Sequence, residues 1–197
     1  WLSKEGGLGY SGFSVVGNRL FTMGAFDQKE KLLALNALTG KTLWEVEVGA
    51  LLTNNWGDGP RMSPAVADGL VYALGGRGKL VCVEIETGKI RWSKGLVEDL
   101  GGKVPGWGYT ESVLVDQGRV ICTPGGKKGA LAALDAKTGN VLWQSKDFTD
   151  GAQYSSPIVI EHGGNRQYVQ LVMKNLVGIK ADNGDLLWKS AWPGRTA

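Results

Sequence analysis

Short apolar runs alternate with glycine-containing turns along almost the whole chain. The clearest unit has four such runs, at 63–66, 70–74, 80–85 and 90–93, separated by turns at 68–69, 75–78 and 86–88. Short runs bounded by turn-forming residues are typical of β-strands. Because tight turns join strands that are antiparallel neighbours, this unit is predicted to be a four-stranded antiparallel sheet.

The same order of runs occurs in three further units. Their strands are predicted at 13–16, 20–24, 31–36 and 43–45, at 112–115, 119–123, 130–136 and 141–144, and at 157–160, 168–173, 176–181 and 186–189. Four-stranded units that recur every ~40–50 residues are typical of propeller blades. The pattern predicts an all-β propeller array over residues 1–197, with blades at about 10–48, 61–96, 109–147 and 154–192.

Each unit ends in one motif, in which a glycine lies four residues before a tryptophan. The copies span 35–44, 83–92, 134–143 and 179–188, with Gly40, Gly88, Gly139 and Gly184 before Trp44, Trp92, Trp143 and Trp188. These tryptophans are separated by 48, 51 and 45 residues, and Trp1 lies 43 residues before the first of them. Trp1 therefore has the position of the tryptophan of a preceding copy.

The motif has a physical rationale. Glycine adopts the positive φ that a tight turn requires, and an upstream Asp or Asn can accept hydrogen bonds from turn amides. Tryptophan offers a large apolar ring with one N–H donor. We expect these rings to dock between neighbouring blades and hold the array together.

This pattern resembles the tryptophan-docking motif of the PQQ-repeat propellers, and the resemblance extends from Trp1 to Trp188. That superfamily includes quinoprotein alcohol dehydrogenases and the propeller lipoprotein of the outer-membrane β-barrel assembly machinery. The resemblance implies an extracytoplasmic location, either periplasmic or secreted. Copies two and four depart from the pattern at the acidic position, with Glu84 and Lys180, which predicts weaker turn capping there. The signatures of WD and kelch propellers do not occur.

Propellers of this superfamily close with about seven or eight blades, whereas four are predicted here. Residues 193–197 fall where a loop to a further blade would begin. An open arc exposes apolar blade faces and strand edges. We therefore expect either that the chain is part of a longer protein or that two copies associate to complete a ring. A closed four-bladed ring is the third alternative.

Composition and charge exclude several classes of function. The 31 glycines are about twice the usual number, in keeping with many turns. The formal charge of +3 is spread along the chain, so nucleic acid is not an expected partner. Lysines cluster only at 29–31 and 127–128, and both clusters are interpreted as solvated turns. No apolar run is long enough for a membrane span.

The cysteines Cys82 and Cys122 lie within apolar runs and are interpreted as buried small hydrophobic residues, with a disulfide between them left open. The single histidine, His162, lies in a predicted hairpin turn. A zinc site of the usual kind and a Ser-His-Asp triad are therefore not expected.

The loops from each outer strand to the next inner strand are expected near the propeller axis. They carry aromatic and polar residues that the repeat does not explain, and a small ligand or a peptide could bind there. The candidates are Asn54, Asn55, Trp56, Asp58, Arg61, Trp107, Tyr109, Glu111, Gln153 and Tyr154. The alternative is that Tyr109, Tyr154 and Tyr10 only pack the centre of the ring.

The resemblance also raises the question of PQQ chemistry. The dehydrogenases of the superfamily have an adjacent Cys–Cys disulfide, and Cys82 and Cys122 are not adjacent. They also hold Ca²⁺ through Glu, Asn and Asp oxygens, which Asn54, Asn55, Asp58 and Glu111 could supply only without a fixed motif. We therefore expect neither a cofactor nor a metal site, with PQQ and Ca²⁺ as the alternative.

The favoured function is a non-catalytic extracytoplasmic propeller that binds a protein, a peptide or a small ligand on its axial face. The alternatives are a fragment of a PQQ-dependent quinoprotein dehydrogenase and a ligand-sensing domain of a larger protein.

Overall fold

A computed structural model describes residues 1–192 of the chain. The segment 193–197, where the sequence predicts a loop to a further blade, lies outside the described residues.

The first sheet contains β1 (Phe13–Val16), β2 (Arg19–Phe26), β3 (Lys29–Asn36) and β4 (Thr42–Ala50). The second contains β5 (Ala65–Ala67), β6 (Leu70–Leu74), β7 (Lys79–Glu84) and β8 (Ile90–Gly95). The third contains β9 (Leu114–Asp116), β10 (Arg119–Cys122), β11 (Ala132–Asp135) and β12 (Val141–Gln144). The fourth contains β13 (Ile158–His162), β14 (Asn165–Leu171), β15 (Asn175–Lys180) and β16 (Leu186–Ala191).

Each sheet is an antiparallel meander in which the strands pair in chain order. The predicted all-β architecture of four-stranded blades is therefore confirmed, and residues 1–192 form a four-blade portion of a propeller. No helix with the length and hydropathy of a membrane span occurs in this part of the chain.

The first strand of each sheet is the inner one. Serine hydroxyl groups just before the inner strands of the second, third and fourth sheets form a ladder of hydrogen bonds between blades. The amide of Ser63 donates to Oγ of Ser112 at 2.9 Å, and the amide of Ser112 donates to Oγ of Ser156 at 2.9 Å. Gly12 takes the corresponding place in the first blade, where an added Cβ would lie 2.2 Å from Oγ of Ser63. The ladder connects successive blades at their inner edges.

The motif tryptophans connect the blades at the outer edges. Nε1 of Trp44, Trp92 and Trp143 donates to a backbone carbonyl of the following blade, three residues before that blade's motif glycine. The acceptors are Ile85 at 3.2 Å, Ala136 at 2.9 Å and Ala181 at 3.0 Å. The rings lie directly on Gly88, Gly139 and Gly184, where an added Cβ would come within 2.8, 2.7 and 2.5 Å of them. Trp1 contacts Ala37 and Gly40 in the same way.

The fourth blade ends differently. Trp188 donates to Oε1 of Gln167 in its own sheet at 2.6 Å, and 36% of its surface is exposed. The outer face of this blade therefore has no docked neighbour among residues 1–192.

A bulge next to the motif recurs in all four sheets. The register of the third and fourth strands shifts just after the residue that faces the tryptophan. The facing residues are all small: Ala34, Cys82, Ala133 and Gly178. A bulge increases the local twist of a strand, and a small partner leaves space for the indole ring.

Both cysteines are buried free thiols, as their apolar flanks indicated. Cys82 belongs to the main core cluster, which extends across the first three sheets. Burial raises the pKa of the Cys82 thiol to about 12, so the group stays neutral. Cys122 is likewise buried, in the third sheet.

The interpretation of 29–31 as a solvated turn is wrong. The turn is made by Asp27 and Gln28, which both have positive φ, and the lysines belong to β3. Lys29 and Lys31 pair across the sheet with Glu47 at 2.7 Å and Glu45 at 2.6 Å. Glu30 points to the opposite side and is fully buried. Alternation along a strand places the lysines in solvent and the glutamate inside.

Candidate ligand-binding face

One end of the array carries two kinds of connection. Because successive strands are antiparallel, the segments from each fourth strand to the next sheet end on the same side as the hairpins between second and third strands. These connections are 51–64, 96–113 and 145–157, together with the hairpins at 27–28, 75–78, 123–131 and 172–174. All the candidate ligand residues lie in the connections between sheets, and none lies in the hairpins. We call this end the loop face.

The loop 51–64 is held together by its own polar side chains. Arg61 is buried and donates to the carbonyls of Gly59 at 2.7 Å and Gly57 at 2.6 Å, and to Oδ1 of Asn54 at 3.3 Å. The amide of Asn54 donates to Oδ1 of Asp58 at 3.1 Å. The guanidinium of Arg61 also lies 5.3 Å from the ring centre of Tyr10. Asn54, Asp58 and Arg61 thus shape the loop through these bonds, whereas Nδ2 of Asn54 is buried without a partner among residues 1–192.

Other candidates project from the loop face. Trp56 is 71% exposed, and Asn55 beside it is exposed as well. Tyr10 and Tyr154 are also exposed within residues 1–192. Exposed aromatic side chains of this kind are suited to contact a partner.

Tyr109 and Gln153 lie in the interior. Tyr109 is 1% exposed, and its hydroxyl donates to the carbonyl of Pro124 at 2.7 Å. Burial raises the pKa of this hydroxyl. Gln153 is buried, and its Oε1 accepts a hydrogen bond from the amide of Tyr154 at 2.8 Å. Tyr109 thus joins two neighbouring segments, and neither of the two side chains is open to a ligand.

Glu111 is a buried carboxylic acid at the contact of the third and fourth blades. It is 2% exposed and accepts hydrogen bonds from the amide of Thr123 at 2.6 Å and from Nε2 of Gln170 at 3.5 Å. Nε2 of Gln170 also donates to Oγ1 of Thr123 at 2.9 Å. Loss of solvation raises the pKa of Glu111 to about 7, although the bonds from Thr123 oppose this shift. Glu111 therefore keeps its proton to a higher pH than a solvated glutamate does.

Glu30 is a second buried acid, which the sequence analysis missed. Its carboxylate accepts hydrogen bonds from the amides of Gly76 at 2.7 Å and Leu52 at 3.1 Å and so links the first blade to the second. Burial raises the pKa of Glu30, whereas the two amides and nearby arginines lower it. The strand alternation that places Lys29 and Lys31 in solvent was the signal that could have identified it.

A groove of about 760 Å³ opens on the loop face at the third and fourth blades. Its lining comes from the segments 101–107, 125–127, 149–152 and 173–174. Trp107 is the one sequence-predicted site residue in it, and Nε1 of Trp107 is shielded from solvent without an acceptor among residues 1–192. The groove also contains Lys127, which the sequence analysis placed in a solvated turn.

Several of the oxygens offered for Ca²⁺ are engaged in other hydrogen bonds. A calcium site needs several oxygen atoms that converge on one point. Oδ1 of Asp58 and Oδ1 of Asn54 bond within the loop 51–64, whereas Glu111 is engaged with Thr123 and Gln170 between other blades. Residues 1–192 contain no group of three or more His, Cys, Asp or Glu placed to hold a metal ion.

Comparison with known proteins agrees with this architecture. The family model described as Outer membrane protein assembly factor BamB matches residues 28–196. The chain belongs to this family. BamB of Escherichia coli (strain K12) is 30% identical to it over 128 residues, which are 63% of this chain and 30% of that protein. The chain thus spans under a third of the length of that relative.

Solved structures show the same fold. BamB from Moraxella catarrhalis matches with a TM-score of 0.65 and 15% identity, over 90% of this chain and 50% of that one. Quinohemoprotein alcohol dehydrogenase from Comamonas testosteroni matches with a TM-score of 0.68 and 16% identity, over 92% of this chain and 34% of that one. At these identities the likeness concerns the fold alone. The resemblance to the PQQ-repeat propellers is confirmed.

Proposed function

We propose that this chain is a non-catalytic, extracytoplasmic propeller scaffold that binds a protein partner through its loop face. The observation that carries the proposal is the match of the BamB family model to 28–196, which takes in β3 and β4 of the first sheet and the other three sheets. The relatives named above are assembly factors for outer membrane proteins, so we propose that the partner is a protein of that assembly process. The four blades act as one array over 1–197.

The loop face supports this proposal by its chemistry. Its exposed side chains include the aromatic residues Tyr10, Trp56 and Tyr154. The buried groups Tyr109 and Glu111 bond to the segment beneath them, at Pro124 and Thr123. A rigid support under exposed aromatic residues is a suitable arrangement for a protein interface.

Site-specific photo-crosslinking tests which face binds. A photoreactive residue at Trp56 or Tyr154 should crosslink, in cells, to a protein of the outer membrane assembly machinery. The same residue at Leu38, which is exposed in a motif hairpin at the opposite end of the array, should not. Equal crosslinking to that protein from Leu38 and from Trp56 contradicts the use of the loop face.

Self-association that completes the ring is the alternative partner. Trp188 is exposed at the outer face of the fourth blade, so a photoreactive residue there should link two copies if they close a ring. Copy-to-copy crosslinks from Trp188, together with no partner crosslink from Trp56, would favour self-association over the scaffold.

We propose that the scaffold works without a cofactor. Oδ1 of Asn54, Oδ1 of Asp58 and the carboxyl group of Glu111 are engaged in hydrogen bonds within the protein. A ligand that binds only the folded state raises the melting temperature. Adding PQQ with Ca²⁺ should therefore shift Tm by less than about 1 °C. A rise of several degrees that EDTA abolishes would support the dehydrogenase alternative instead.

A further inference from the structure

The groove on the loop face combines three lysines with an apolar floor. We propose that it binds an extended, acidic polypeptide segment that inserts one apolar side chain between its carboxylates. The inference rests on the proposed function and deepens it, since it names the chemistry of the segment that the partner presents.

The positive charge of the groove comes from three separate connections. Lys103 lies in the loop between the second and third sheets, Lys127 in the hairpin between β10 and β11, and Lys174 in the hairpin between β14 and β15. All three are exposed, and none forms a salt bridge within residues 1–192. Lysines that no internal acid neutralises favour a ligand of negative charge.

One acid, Asp150, also lines the groove, and its oxygens are occupied. Oδ1 accepts a hydrogen bond from the amide of Gly151 at 2.9 Å. Oδ2 accepts hydrogen bonds from the amide of Lys174 at 2.9 Å and from Nδ2 of Asn175 at 3.0 Å. Asp150 thus fastens the Lys174 hairpin to the loop, and the lining keeps a balance of three lysines to one acid.

The apolar part of the groove lies among these charges. Val104, Pro105 and Trp107 belong to one segment, and Met173, which is 40% exposed, belongs to another. Methionine adapts its shape to different ligand side chains. A buried N–H without an acceptor, as at Trp107, is uncommon where a side chain serves packing alone. Val104, Pro105 and Met173 suit an apolar ligand side chain, and the N–H of Trp107 suits an acceptor oxygen of the ligand.

The shape of the groove favours a polypeptide over other anions. Glycines at 101, 102, 106, 125, 126 and 151 line it, so parts of its wall carry no side chain and an extended chain can lie close to it. An extended segment can also place alternate side chains in separate pockets. A lipid headgroup would use the lysines but not the enclosed apolar part.

Binding can be measured with the full chain and two fluorescent peptides. One peptide carries glutamates around a single phenylalanine, and the other carries glutamines in their place. The acidic peptide should bind and the glutamine peptide should not. Affinity should fall as salt is raised, because exposed charges are screened. Equal binding of both peptides, or binding of neither, overturns the proposal.

Charge reversal tests the site. The triple variant K103E/K127E/K174E should weaken binding of the acidic peptide by about ten- to a hundredfold. The control K41E/K89E/K137E makes the same change in net charge at three motif hairpins on the opposite end, where all three lysines are exposed. The control should bind as the unmodified chain does. If both triple variants weaken binding of the acidic peptide equally, the peptide is attracted by the net charge of the protein. That result overturns the proposal that the groove is the binding site.

A single substitution inside the groove gives a second test. A Cβ at Gly106 would meet no atom within 4 Å, so a side chain fits there without strain. Gly106→Glu should weaken binding of the acidic peptide by about tenfold, whereas Gly106→Gln, of the same size, should have a smaller effect. Equal effects of the two substitutions contradict the electrostatic part of the proposal.

Two further outcomes separate this inference from the proposed function. Tighter binding to phosphatidylglycerol vesicles than to the peptide, lost in K103E/K127E/K174E, would overturn the peptide in favour of a membrane surface. If that triple variant still crosslinks to the assembly partner from Trp56, the scaffold function stands and the groove proposal fails. Loss of that crosslink in the triple variant but not in the control supports both.

Discussion

Replacing Trp92 with alanine is expected to lower the free energy of unfolding by about 3–5 kcal/mol. Trp92 is 8% exposed, lies on Gly139 of the third blade and donates to the carbonyl of Ala136. Its ring centre is also 6.0 Å from that of Tyr72. The substitution removes a large buried ring and one of the donors to the Ala136 carbonyl, which keeps its hydrogen bond from the Tyr72 hydroxyl at 3.1 Å. Urea unfolding, followed by circular dichroism, measures the change.

The chain offers a matched control in Trp188. It occupies the same motif position, but its N–H is bound within its own sheet and its ring is partly exposed. Trp188→Ala should therefore cost less, about 1–2 kcal/mol. A loss below about 1 kcal/mol for Trp92→Ala, or equal losses for both variants, would contradict docking between blades as the source of the stability.

Stability is expected to fall by about 3 kcal/mol between pH 4.5 and pH 8 because of Glu111. Its pKa is raised from 4.5 in the unfolded chain to about 7 in the folded one. Between these values the folded state holds a proton that the unfolded state has lost, so stability decreases as the pH rises. The contribution is complete below pH 4.5 and absent well above pH 7.

The variant Glu111→Gln isolates this effect. Glutamine keeps an oxygen for the amide of Thr123 and carries no charge, so the part of the pH dependence that belongs to Glu111 should disappear. Glu30 contributes in the same direction in both proteins, because burial also raises its pKa. Asp116, whose pKa is lowered by the hydrogen bond from Arg166, loses its contribution only at lower pH. The free energy of unfolding of both proteins is measured at several pH values from 5 to 8. If the difference between the two proteins stays constant over this range, Glu111 does not titrate there.

Much of the fold could be predicted because each blade is built from local signals. Glycine at the turn between the third and fourth strands and the tryptophan four residues later have the same spacing in every unit. Asn36 and Asp135 each accept two turn amides, as their place before the glycine indicated. Glu84 binds Thr87 and Arg91 instead, in keeping with the weaker capping expected there.

The candidate site was harder to predict, because its residues lie in connections without a repeat. The polar residues of the loop 51–64 are of the types found in ligand sites. Arg61, however, donates hydrogen bonds to the carbonyls of Gly57 and Gly59 and so stabilises the loop itself. Tyr109 and Tyr154 lie in matching connections, but one is buried and the other exposed. Residue type does not reveal whether a polar group in a loop bonds inward or faces solvent.

The sequence by itself determined the four-bladed array, the strand order and the docking positions. These depend on short-range spacing, which sets turns, strand alternation and the place of each tryptophan. Only the tertiary structure decided that Glu30 and Glu111 are buried between blades and that Lys103, Lys127 and Lys174 share one groove. Lys103 and Lys174 are 71 positions apart. Both line one groove because the loops of adjacent blades lie at the same end of the array. The packing between sheets determines that arrangement, and the sequence pattern within one blade does not contain it.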